Sequence, residues 1–115
     1  MSVTDTASTV TMSDVGAWPL DGLEGLEGRY LTVAIPAGLR APLHHHDGWQ
    51  FVYVLEGSVV SAMDGEPATR YDVGEAWYEA KGRRHVVFAN ETDRPAKVLV
   101  FFLTGPGTPV LAFDA

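Results

Sequence analysis

From Arg29 onward the chain alternates short apolar runs with polar punctuation. β-Branched and aromatic residues fill the runs, which predict strands at 29–35, 42–46, 49–56, 58–63, 67–72, 75–79, 84–90, 96–104 and 109–113. The separators "GLRAP", "HDG", "EG", "DGEP", "DVGE", "KGR", "NETDRP" and "GPGTP" are turn chemistry. Nowhere do apolar residues recur at helical spacing over the roughly 11 positions that an amphipathic helix requires. The pattern therefore predicts an all-β chain. Many short strands at this spacing leave a β-sandwich or a barrel of jelly-roll type.

Upstream the texture differs. The segment "MSVTDTASTVTMSDVG" is dominated by Ser, Thr and Asp and offers few anchoring side chains. Residues 1–17 are accordingly read as a flexible N-terminal arm, with one domain over 18–115 starting at Trp18. The tripeptide Leu-Glu-Gly occurs at 23–25 and again at 26–28, too few copies for a solenoid.

Composition narrows the partners. At 115 residues, 46% hydrophobic and 20% charged, the chain suits one globular domain. Eight Lys and Arg against fifteen Asp and Glu give a net charge of −7, which argues against a nucleic-acid partner. No apolar run approaches the roughly 18–20 residues of a membrane span. The start of the chain lacks the basic and apolar regions of a secretory signal, and cysteine is absent, so a cytoplasmic location is expected.

Candidate chemistry lies in "APLHHHDGWQFVYVLEG". Alternate side chains of a strand share a face, so His44 and His46 point one way and His45 the other. Beyond the Asp47-Gly48 turn, Gln50, Val52 and Val54 form one row, and Phe51, Tyr53 and Leu55 the opposite row. If the first row continues the face of His44 and His46, two imidazoles and an amide converge at the interior end of a strand pair. His85 opens a later strand. Imidazole nitrogens and an oxygen donor suit a first-row metal ion, although spacing alone leaves a solvated histidine loop equally open.

These residues resemble the two motifs of a single-domain cupin. Gly38, His44, His46, Gln50 and Gly57 follow the spacing of the first motif, with Gln where the family usually has Glu. Gly74, Ala80, Gly82, His85 and Asn90 follow the second, with Ala in place of Pro. The resemblance implies a cupin jelly roll in which His44, His46, Gln50 and His85 hold one divalent transition metal, such as Zn, Ni, Fe or Mn.

Three imidazoles and a neutral amide would leave the ion's charge uncompensated and make it a strong Lewis acid for a small, anionic substrate. The resemblance to cupin-type polyketide cyclases and pectin-degradation uronate cupins implies isomerase, cyclase or lyase chemistry on a carbonyl or carboxylate compound. A metal-dependent dioxygenase and a non-catalytic binding cupin are the alternatives. Tyr78 is the expected proton donor, and Arg29 or Tyr30, whichever points inward, the expected grip on a substrate carboxylate. Glu56, Glu75 and Glu79 adjoin turns and are expected to be solvated. The apolar row Phe51, Tyr53 and Leu55 requires cover from a second sheet, the N-terminal arm or another subunit, and a homodimer is expected.

Overall fold

The computed structural model describes residues 10–109 and the backbone of 112–113. Ten strands form: β1 (Thr11–Pro19), β2 (Glu27–Ile35), β3 (His44–His45), β4 (Trp49–Glu56), β5 (Ser58–Met63), β6 (Thr69–Asp72), β7 (Ala76–Glu79), β8 (Arg84–Ala89), β9 (Ala96–Thr104) and β10 (Ala112–Phe113). They make two five-stranded sheets, in the orders β1-β2-β9-β4-β7 and β10-β3-β8-β5-β6. Every recorded pairing is antiparallel. This is the expected all-β jelly-roll architecture.

The differences lie at the ends. β3 is shorter than 42–46 because Pro42 has no N–H to give a ladder and Asp47-Gly48 turns the chain. β6 starts at Thr69, after Pro67. Of the 109–113 prediction, 112–113 pair with β3, and 110–111 lie outside the described residues. Residues 11–17, expected in a flexible arm, are a correction. With 18–19 they form β1, which runs antiparallel along β2 of the same chain, with a register shift between Asp14 and Gly16. β1 is exposed at nearly every position, so its composition reads as a solvated segment, while its backbone is satisfied by the edge of β2. The arm's first nine residues fall outside the described set.

Strand parity builds the core. Leu31, Val33 and Ile35 of β2, Val52 and Val54 of β4, and Val98, Val100 and Phe102 of β9 all point inward, where they meet Val59 and Phe88 of the second sheet. Two glycines set the path of β4 between them. A Cβ at Gly48 would lie 2.6 Å from the Leu103 carbonyl oxygen and 2.6 Å from Phe102, so only glycine lets the chain enter β4 this close to β9. Gly57 has φ of 73° and turns the chain from the first sheet into β5 of the second.

Asn90, fully buried, closes the second motif structurally. Its amide nitrogen donates to the carbonyls of Ile35 (3.1 Å) and Arg94 (2.6 Å), while its oxygen accepts from the Thr92 N–H and hydroxyl.

Candidate metal centre

His44 and His85 are direct cross-strand partners on β3 and β8 of the second sheet. The chain leaves β3, presents His46 in the connection to β4, and then enters the first sheet. There Gln50 pairs with Glu79 of β7 on one side and Phe102 of β9 on the other. The parity argument holds: His44, His46, Gln50 and His85 are all buried, and His45 turns the other way to meet Asp47 at 3.5 Å.

One ring nitrogen from each of His44, His46 and His85 lies within 4.8 Å of the other two. These three nitrogens could hold one divalent ion between them. The opposite nitrogens are already engaged. His44 Nδ1 lies 2.7 Å from the Pro42 carbonyl oxygen, which can only accept, so that nitrogen carries the proton and Nε2 the lone pair. Ser61 Oγ lies 2.8 Å from His85 Nε2, which turns Nδ1 toward the cluster. The Gln50 amide lies 3.0 Å from His46 Nδ1 through its nitrogen; rotating the amide by half a turn lets its oxygen accept an Nδ1 proton. Ligating imidazoles elsewhere are held in this way by a hydrogen bond to the rear nitrogen.

Glu79 corrects the sequence reading. Expected to be solvated, it is 2% exposed and shares the inward face of β7 with Trp77, whose indole donates to Oε2 at 2.7 Å. Its Oε1 lies 3.2 Å from His46 Nε2 and 3.5 Å from His85 Nδ1, and neither contact has hydrogen-bond geometry. Burial pushes the Glu79 carboxyl up, but the His46 and His85 imidazoles and the Trp77 indole outweigh it and hold the group below the ordinary carboxylate range. Burial drives His85 down to about 4, with His44 and His46 adding to the fall and Glu79 opposing it, so this ring is neutral and able to ligate near pH 7.

Two buried polar atoms, Glu79 Oε1 and His85 Nδ1, thus lack a hydrogen-bond partner. Unsatisfied groups of this kind cost about 1–3 kcal/mol each, and more where one is charged. A cation among the imidazoles would satisfy both, so the residues present fit a metal ion. The donor environment is not the neutral one expected, because a carboxylate stands in it.

The cluster lines a cavity of about 250 Å³ between the sheets, whose other lining residues are mainly Val and Leu. Val10 and Met12 contribute to it from the N-terminal segment. Arg40, which sequence reading left in a turn, is the cation among the described lining residues and is itself solvent-exposed. Arg29, by contrast, is held by Asp14, Glu27 and the Thr108 carbonyl and does not line the cavity, and Tyr30 faces outward.

Tyr78 is also corrected. β7 alternates, so with Trp77 and Glu79 inward Tyr78 is outward, half exposed and stacked on Phe51 at 5.2 Å. It does not reach the cavity. The alternation in "AWYE" was a signal for this, once Trp77 is taken as the core residue. Nothing in "SVVSAM" marked Ser61 as the partner of His85.

Residues 31–102 match the Cupin_2 family model, described as a cupin domain, and the chain belongs to that family. No curated protein sequence matches it. Among solved structures, DMSP lyase DddQ from Ruegeria pomeroyi DSS-3 is similar at 26% identity and a TM-score of 0.67, over 76% of this chain and 43% of that one. The cupin-2 domain Rru_A2000 from Rhodospirillum rubrum aligns with a TM-score of 0.70 at 15% identity, over 94% of this chain and 67% of that one. A recombinant oxalate oxidase in complex with glycolate aligns with a TM-score of 0.70 at 23% identity, over 96% and 57% of the two chains. The chain thus spans less than half the length of the DMSP lyase chain.

Proposed function

We propose that this chain is a metal-dependent cupin enzyme that uses a divalent ion held by His44, His46 and His85 as a Lewis acid on a small carboxylate compound, in a reaction of lyase, isomerase or cyclase type. The observation that carries this reading is the convergence of three buried imidazoles, each with its rear nitrogen engaged, in the lining of a mainly apolar cavity. A bound ion would supply polarisation of a substrate oxygen and stabilisation of the negative charge that develops beside it.

The chain's own residues supply the rest. The apolar walls exclude water and raise the strength of every charge interaction inside. Arg40 offers a carboxylate a planar, two-pronged partner, which compensates for an acidic exterior that repels anions. Proton transfer by Tyr78 is not part of this reading, because its hydroxyl is on the wrong face of β7. Likeness to a DMSP lyase at 26% identity supports elimination as the reaction type, whereas the oxalate oxidase likeness speaks only to fold.

The test is turnover. Protein loaded with Zn2+, Ni2+, Fe2+ or Mn2+ is incubated with small carboxylates that carry an acidic α-hydrogen and a β-leaving group, and product is followed by proton NMR. Turnover that is lost on chelation and survives in the redox-inert zinc form is expected. Turnover only with iron and dioxygen would replace this reading with the dioxygenase one, and ligand binding without turnover would replace it with a binding cupin.

A further inference from the structure

Gln50 and Glu79 face each other across the β4–β7 ladder, and both side chains are directed inward. Gln50 is committed to the rear of His46 through Nδ1. Glu79 is on the front: its Oε1 faces Nε2 of the same imidazole at 3.2 Å and Nδ1 of His85 at 3.5 Å. A carboxylate that merely oriented these rings would accept hydrogen bonds from their rear nitrogens. That role is filled for His44 by the Pro42 carbonyl, for His46 by Gln50 and for His85 by Ser61. Trp77 fixes the carboxylate by its other oxygen, so the orientation of Oε1 is set before any ion arrives.

We propose that Glu79 is a protein ligand of the metal through Oε1, and that the anionic ligand of this centre comes from β7 while Gln50 of β4 positions His46. This inference rests on the metal-centre reading above. It makes the donor set three imidazoles and one carboxylate, drawn from both sheets, with net charge +1 for a divalent ion. The remaining positive charge still favours an anionic substrate, more weakly than a neutral donor set would.

The test is a carboxylate swap read by Co2+ binding to the full, metal-stripped chain. Wild type should bind one Co2+ and give visible d–d absorption. Glu79→Gln keeps the shape and removes the charge. It should weaken Co2+ binding by more than the roughly 10–100-fold typical of losing a residue that only supports a ligand, and it should change the spectrum at saturation. The double variant Gln50→Glu/Glu79→Gln puts its carboxylate behind His46, at Nδ1, and should not recover the lost affinity. Urea unfolding of metal-free Glu79→Gln, expected to be as cooperative as that of wild type, answers for folding. Wild-type affinity in Glu79→Gln would overturn the proposal, as would weakened binding with an unaltered saturated spectrum, or recovery of wild-type affinity in the double variant. Failure of the wild type to bind Co2+ would instead overturn the metal centre itself.

Discussion

His85 shows how much one side chain can reveal. Strand periodicity placed His44 and His46 on one face, and the cross-strand pairing of His44 with His85 completes the trio in the structure. Period 2 is a strict rule, so this part of the site was legible. Glu79 and Tyr78 were not, because both were judged by nearness to a turn and by hydroxyl chemistry rather than by the alternation of β7, which puts the carboxylate in and the phenol out. Two expectations follow at this scale. Ser61→Ala removes the hydrogen bond that fixes His85 and should weaken metal binding by about 10–100-fold with the fold intact, measured by competition with a chromophoric chelator. Tyr78→Phe should leave both metal content and turnover unchanged, and a large fall in turnover would return this phenol to the mechanism.

At the scale of elements, the strands were legible from β-branched runs and turn residues; β3 and β6 are shortened where proline or an Asp-Gly turn interrupts a ladder, β2 starts two residues early at Glu27, and β7 and β8 each lose one residue. β1 was missed for a physical reason. Apolar patterning reports burial, and an edge strand of exposed side chains has none to report, although its backbone pairs along the length of β2. Close backbone approach is equally silent in sequence. Gly48 sits where any Cβ would meet the Leu103 carbonyl and Phe102. Gly48→Ala is therefore expected to destabilise the fold by about 1–3 kcal/mol in urea unfolding, and to loosen the site because β4 carries Gln50 two residues later. No change in the unfolding midpoint would show that the strand entry yields easily.

At the scale of the whole molecule, the outer face of the first sheet has no cover among the described residues. Tyr30, Phe51, Tyr53, Tyr78, Leu99 and Phe101 line a shallow depression on the outside of the first sheet. Phe51 lies 5.2 Å from Tyr78 and 6.0 Å from Phe101, and Tyr30 lies 5.2 Å from Phe101, so the aromatics form one continuous surface. None of these residues is Asp, Glu, Lys or Arg, which makes this a face on which two chains of net charge −7 can approach. We propose that a second copy covers it. Light scattering after size exclusion should give twice the 12.4 kDa chain mass, and Phe51→Glu should halve it. A wild-type monomer would contradict the dimer and leave the metal site untouched.

The central claim is that His44 and His46 meet the distant His85 to hold one ion, and elemental analysis tests it most directly. The chain, purified without added metal and without an affinity tag, should contain close to one divalent transition metal per molecule. His44→Ala and His85→Ala should each bring that content close to zero. A wild-type chain that neither carries metal nor takes it up stoichiometrically on titration would contradict the account, as would variants that retain the ion in full.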